Sequence, residues 1–284
     1  MKWISNCIKS IVESSISLDA IFIDNVSTDG TREYLQRFKD KFVIIESDKN
    51  LGFGRANNIG FKYAIDHQYD YIYLLNQDAW LKKDTIKTLI RVHNLHPEFG
   101  ILSPMQIQAN EDFLDSNFLN NVCKLNNKFI EDIFFHRCSE CYEVNSGIAA
   151  HWLLSRECVE RIGAFSPTFP HYGEDDNYIS RAIFHGVKTG IVPTAFAIHD
   201  RTNRITSKSK ELYLTSYIQF LKNFSNLQNS LAREILIMLR LNTLYLFLYK
   251  SFLPIKYTFI LITELPKIIF NRKKSKTRGA FLNQ

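Results

Sequence analysis

The chain has 284 residues, of which 45% are hydrophobic and 23% charged, with 11 glycines and 7 prolines. That composition excludes a disordered or fibrous chain and leaves room for one large domain, or for a domain with an appendage. The net charge of +6 is unevenly spread: residues 1–200 hold 20 Lys and Arg against 26 Asp and Glu, a net of −6, and residues 201–284 hold 15 against 3, a net of +12. An acidic body with a basic C-terminal part points to an anionic partner, such as phospholipid head groups, an anionic glycolipid or nucleic acid. No nucleic-acid recognition motif accompanies the basic part, so no nucleic-acid partner is expected. The five cysteines (7, 123, 138, 141 and 158) are an odd number in a chain without a secretory signal, which fits a reducing, cytoplasmic compartment. Cys138 and Cys141, with His136 just before them, resemble half of a zinc site, but no second ligand pair has matching spacing.

In chain order, apolar positions Trp3, Ile4, Cys7, Ile8, Ile11 and Val12 predict a helix over 3–16. Ala20–Asp24 is a short apolar run ending in an acid, as expected of a buried strand. A helix over 31–38, a strand over 42–47, a helix over 57–67 and a strand over 69–76 follow. The last ends in Asn76-Gln77-Asp78. Then come a helix over 85–95 and a strand from Gly100. This alternation predicts an α/β fold with a mostly parallel sheet, in which ligands bind beyond the carboxyl ends of the strands. Asp24-Asn25 and Asn76-Gln77-Asp78 both lie at such ends. Residues 110–145 read as an irregular insertion. Residues 146–200 return to short strands and helices, and 210–270 are apolar and helical.

The most informative segment is His171-Tyr172-Gly173-Glu174-Asp175-Asp176-Asn177-Tyr178. Adjacent like charges are costly in a partly dry site. Such a cluster is solvated, binds a cation or takes a proton. A solvated helix start, favoured by the helix dipole, is the simplest alternative. Gly52-Phe53-Gly54 begins like a dinucleotide fingerprint but lacks the third glycine, so the match is weak.

Four segments in order resemble glycosyltransferase family 2 enzymes of the GT-A fold: Ile21–Thr31, Asn50–Gly60, Tyr73–Asp78, and a fourth running from Ile162-Gly163-Ala164-Phe165 through Gly173-Glu174-Asp175 and Arg181 to Pro193 and His199-Asp200-Arg201. The resemblance spans roughly residues 3–225 and is closest to the bacterial rhamnosyltransferase-like branch. It implies an inverting, metal-dependent hexosyltransferase acting on a glycan or lipid-linked acceptor in surface polysaccharide synthesis. By position, Asp24, Asn25, Asn57, Asn58 and Asn76 bind the nucleotide sugar. The resemblance implies that Asp78 and His199 hold Mg²⁺ or Mn²⁺, a cation that would neutralise charge on the leaving diphosphate. Asp175 is the base that takes the acceptor proton, and Glu174 orients it or the acceptor. Plainer alternatives are a strand cap at Asp24, a turn cap at Asp78 and a structural hydrogen bond at His199. Asp29 reads as the cap of the helix at Thr31. Arg181 is open to pairing with the acidic cluster or touching phosphate.

The family opens with a central strand of the type Val-Ser-Ile-Ile-Ile-Val-Thr-Tyr-Asn, whereas this chain starts inside the matching helix. The expected fold is therefore a GT-A sheet lacking its usual first strand, with a catalytic domain over 1–205 and a helical, basic segment over 206–284. That gap motivates a second reading, a catalytically inactive binding or scaffold protein. A nucleotidyltransferase would want a Gly-rich basic N-terminal loop, which is not present. Between 231 and 270, charged residues break the apolar runs below the roughly 20 residues of a spanning helix. Amphipathic helices at the inner face of an anionic plasma membrane are expected, with Arg272–Arg278 as a basic tail.

Overall fold

The computed structural model describes residues 1–201, 217–249 and 253–283. The expected domain boundary near 205 lies outside the described residues. Strand and helix alternate through the first 107 residues: α1 (Ile4–Val12), β1 (Ile21–Asp24), α2 (Thr31–Leu35), β2 (Val43–Glu46), α3 (Gly52–Asp66), β3 (Tyr71–Leu75), β4 (Ala79–Leu81), α4 (Thr85–Leu95) and β5 (Ile101–Ile107). α3 begins at Gly52, five residues before the start expected at Asn57. Gly52 has φ +75° and its N–H donates to Asn50 Oδ1 at 2.9 Å, which starts the helix. A Cβ on Gly54 would lie 3.1 Å from Phe165 Cβ. The glycines that look like a loop motif are thus a first helical turn packed tightly on a later segment.

Residues 110–145 are not irregular. They form α5 (Ser116–Asn121) and α6 (Asn127–Phe134), followed by β6 (Tyr142–Glu143). Asp115 and Asn126 cap the two helices through the N–H groups of Phe118 and Phe129. Phe118, Val122, Cys123, Phe129 and Tyr142 bury a small core of their own. β7 (His151–Ser155), α7 (Arg156–Ile162), α8 (Glu174–Phe184) and β8 (Thr189–His199) follow, then α9 (Gln219–Ser225), α10 (Leu231–Tyr249) and α11 (Leu253–Lys274).

The sheet is mixed rather than mostly parallel. Its larger part has the order β3-β7-β5-β8-β4, with β6 also on β8. Within it only β5 and β8 run parallel, while β3–β7, β5–β7, β4–β8 and β6–β8 are antiparallel. The excursion over 108–150 brings the chain back reversed into β7, which a helical crossover would not do. β1 and β2 pair in parallel as a separate two-stranded sheet. Among the described residues, β1 and β3 each have a strand partner on one side only. The sheet is split between β1 and β3, and α3 packs across both parts.

β5, β7 and most of β8 are buried, and Trp152, Phe61, Phe165 and Tyr178 fill the core between the sheet and α3, α7 and α8. No helix among the described residues is long and apolar enough to cross a membrane. The basic run Arg272–Arg278 ends α11 and continues into a docked chain end, with Lys273, Lys276 and Arg278 exposed. Arg272 donates to the carbonyls of Phe224 and Asn229. The Lys274 ammonium lies 5.3 Å from the ring of Phe281, and the chain end folds back so that Ala280 and Phe281 are 2% exposed in the main core. Their apolar side chains outweigh the solvation of the neighbouring charges.

Candidate active site

Three strand ends supply polar groups to one edge of the sheet. At the end of β3, Asn76 is half-exposed and Asp78 is 3% exposed. β4 then pairs with β8 so that Ala79 faces His199, and the Asp200 N–H donates to the Asp78 carbonyl at 2.8 Å. This register puts His199 Nε2 3.6 Å from Asp78 Oδ1. His199 Nδ1 is 3.2 Å from Gln106 Oε1, which fixes the tautomer with the proton on Nδ1 and the lone pair on Nε2. Arg201 Nε donates to that nitrogen at 3.1 Å. Trp3 Nε1 donates to Asp200 Oδ2 at 2.7 Å and ties α1 to the site.

Sequence reasoning missed the groups behind this pair. His151 is fully buried, its Nε2 2.9 Å from the Ile198 carbonyl and its Nδ1 2.9 Å from the Tyr73 hydroxyl. Burial, reinforced by His199, pushes its pKa down to about 3, so it stays neutral. Cys7 lies under Asn76, and burial, then the Asp78 charge, pushes its thiol up to about 12. A histidine in a strand core and a helix cysteine carry no sequence signal of this kind.

Asp78 and His199 offer one oxygen and one nitrogen donor to a divalent cation. Among the described residues, no three His, Cys, Asp or Glu groups gather as a metal cage. Two protein ligands, with diphosphate oxygens and water completing the shell, fit Mg²⁺ or Mn²⁺.

At the end of β1, Asp24 is 3% exposed and committed to protein partners. Arg32 Nε and Nη2 donate to it at 3.3 Å, and the Ser27 N–H donates as well. Asn25 joins β1 to the start of α3, since its Oδ1 accepts from the Leu51 N–H at 2.7 Å and its Nδ2 donates to Asn50 Oδ1. Asn25, Asn50, Gly52, Phe53, Arg55, Pro170 and His171 line a cleft of about 500 Å³. Asn57 and Asn58 do not line it, contrary to expectation. The Asn57 amide donates to the Phe53 carbonyl within the helix. Asn58 accepts from the Phe165 N–H at 2.7 Å and donates to its carbonyl at 2.9 Å. Its amide braces the loop opposite the cleft.

That loop leads into α8. Tyr172 and Gly173 have φ +70° and +89°, and this left-handed pair turns the chain into the helix. Glu174, Asp175 and Asp176 occupy its first turn, where the dipole favours negative charge. Glu174 is 6% exposed and its Oε2 has no hydrogen-bond partner. Burial, then Asp175 and Asp176, pushes its pKa up to about 7. Burial and Asp176 push the half-buried Asp175 up to about 6. Both carboxyls can therefore take or release a proton near neutrality. Arg181 neither pairs with them nor reaches outward. It is fully buried and donates to the carbonyls of Ile162 and Ala164, so it holds the loop from within.

The comparisons with known proteins agree with this fold. The hexosyltransferase Agl10 of low-salt glycan biosynthesis in Haloferax volcanii is 22% identical over 216 residues, 75% of this chain and 69% of that protein. S. aureus TarS 1–349 in complex with UDP-GlcNAc superposes with a TM-score of 0.56 at 14% identity, covering 95% of this chain and 76% of that one. This chain spans 39% of a longer TarS structure. The mannosyltransferase PcManGT from Pyrobaculum calidifontis, in complex with GDP-Man and Mn²⁺, gives 0.53 at 18% identity, covering 80% and 58%. At these identities the likeness carries the GT-A fold alone. The sequence profile described as Glycosyl transferase family 2 matches residues 2–163. With more than half of its length inside that profile, this protein belongs to glycosyl transferase family 2.

Proposed function

We propose that the enzyme transfers a hexosyl group, with inversion, from a nucleotide sugar to a saccharide or lipid-linked acceptor in surface polysaccharide synthesis. The observation that carries this reading is the Glu174–Asp175 pair. A buried carboxyl with an unpartnered oxygen sits at a helix start, next to the loop that walls the cleft. A Cβ on Gly54, which lies between the cleft-lining Phe53 and Arg55, would be 3.7 Å from Glu174 Cβ. Donor cleft and acid pair therefore share the α3 N-terminus.

Inversion needs one positioned base and no protein nucleophile. The acceptor oxygen attacks the anomeric carbon, the bond to the diphosphate oxygen breaks, and the acceptor proton passes to Asp175. Glu174 orients the acceptor hydroxyl. Asp78 and His199 Nε2 would hold a divalent cation, which supplies charge neutralisation at the leaving diphosphate. Arg201, now on His199 Nε2, would turn to the phosphates. Asn25 and Asn76 bind the base and ribose edge of the donor.

Asp175→Asn tests this. With dTDP-rhamnose, UDP-hexoses and GDP-mannose as donors, transfer should fall roughly 10²–10⁴-fold while UDP binding persists. Transfer within a few-fold of wild type would remove Asp175 from the role. A second reading, a catalytically inactive binding or scaffold protein, is favoured by Asp24, whose carboxylate Arg32 and Ser27 already occupy. Donor binding by the wild-type chain without hydrolysis or transfer would select it.

A further inference from the structure

The C-terminal helices do more than extend the fold. α9 lies across the first turn of α8. Lys222 Nζ is 2.6 Å from Asp176 Oδ2, and the two side chains are 29% and 41% exposed. The stem of Lys222 also packs on the backbone turn, since a Cβ on Gly173 would lie 2.9 Å from Lys222 Cγ. Along the same face, Asn177 Nδ2 donates to the Ser225 carbonyl, and Ser180 Oγ accepts from the Leu227 N–H at 2.9 Å. α9 is itself held by Arg272 through the Phe224 carbonyl, and by a cluster of Phe169, Phe220, Leu221, Phe224, Met238, Leu261 and Ile268. Lys222 is thus a cation on a braced element, paired with Asp176 and acting on its neighbour Asp175.

We propose that Lys222 is a positioning residue for the Glu174–Asp175 pair: it binds Asp176, fixes the turn that starts α8, and supplies positive charge to the acidic cluster. The assignment rests on the glycosyl-transfer reading above and extends it into the C-terminal segment. An isolated ion pair this exposed adds little to stability. Its consequence here is electrostatic. Asp176 raises the proton affinity of Asp175, and Lys222 opposes that rise. The Asp176 N–H also donates to Asp175 Oδ1 at 2.9 Å, so a fixed Asp176 backbone aims the base. Among the described residues, the charged groups meeting the cluster are Glu174, Asp175 and Asp176 on α8 and Lys222 on α9. His171 and Tyr172 precede them in the loop, and Arg55 of α3 turns to the Pro167 carbonyl instead.

The test compares wild type, Lys222→Met and Lys222→Arg in the full chain. Removing the charge should move the acid limb of the kcat/KM profile up by about 0.5–1 pH unit, because an opposite charge nearby favours the ionised carboxylate. At pH 6, kcat should fall several-fold while the Kd for UDP holds, and Lys222→Arg should restore the wild-type limb. An acid limb that stays in place in Lys222→Met would overturn the proposal, as would a loss of UDP affinity matching the loss of kcat. Carboxyl ¹³C titration of Asp175 by NMR reads the same shift without turnover. If the wild type transfers no sugar, the function reading fails, and the titration still decides the role of Lys222.

Discussion

Asn58 and Phe165, 107 residues apart, exchange two hydrogen bonds between one side-chain amide and one backbone unit, at 2.7 and 2.9 Å. Phe165 opens the loop that ends in Glu174, so α3 sets where that loop starts. Asn58→Ala leaves the Phe165 N–H and carbonyl unpaired in a half-buried site, at a cost of about 1–3 kcal/mol. Thermal unfolding should register the loss, and kcat should fall further than UDP affinity. Asn58→Asp, which keeps the acceptor and loses the donor, should fall between.

The raised acid pair makes stability depend on pH in a stated direction. Glu174 and Asp175 rise from 4.5 and 3.8 to about 7 and about 6 on folding. Between those values the folded chain holds more protons than the unfolded chain, so their contribution falls as pH rises from about 4 to 7. Glu174→Gln removes a buried charge at pH 8 and should raise stability there by about 1–3 kcal/mol, with little effect at pH 4. Urea unfolding at the two pH values checks it. An equal effect at both would assign the change to packing.

Asp78→Ala should weaken Mn²⁺-dependent binding of UDP at least tenfold in calorimetry and leave the metal-free affinity nearly unchanged. His199→Gln should give a smaller loss, since a neutral donor is exchanged for a weaker one. A metal requirement that survives both changes would place the cation elsewhere.

Gly163 has φ +92°, and a Cβ there would overlap the Ala280 carbonyl. The Ala164 N–H donates to that same carbonyl at 2.8 Å. Gly163→Ala should therefore lower stability by more than the roughly 1–2 kcal/mol of the backbone strain alone. Deletion of residues 279–284 should expose the pocket that Phe281 fills. Both changes should lower the melting temperature by several degrees in calorimetry.

Leu236 and Phe247 of α10 and Phe259 and Phe270 of α11 are exposed, as are Arg240, Lys267 and Lys273, and we propose that these side chains meet an anionic membrane. Leu236→Asp with Phe247→Asp should reduce flotation with phosphatidylglycerol vesicles. High salt should weaken binding only in part, because apolar insertion is not screened. Equal flotation with neutral vesicles would remove the electrostatic part.

Part of the candidate site was legible as residue types at strand ends. Asp78 and His199 can be read from short apolar runs ending in polar groups, because a strand buries its length and leaves its end to the ligand, whereas the Glu174–Asp175 pair is read from its row of adjacent acids and sits at a helix start. Local pattern also set α4 and the position of β3. Other features belong to tertiary structure. The β4–β8 register alone brings His199 to Asp78 across 121 residues of chain. Asn57 and Asn58 share the helix start with the cleft, but helix phase turns their amides to backbone partners instead. The antiparallel entry of β7 follows from the compact 110–145 excursion, whose core forms only when Phe118, Phe129 and Tyr142 meet. The basic run at 272–278 reads as a basic tail by charge; burial of Ala280 and Phe281, just past it, docks the chain end. Composition and periodicity report what a segment prefers by itself, and packing between distant segments decides which of its faces is used.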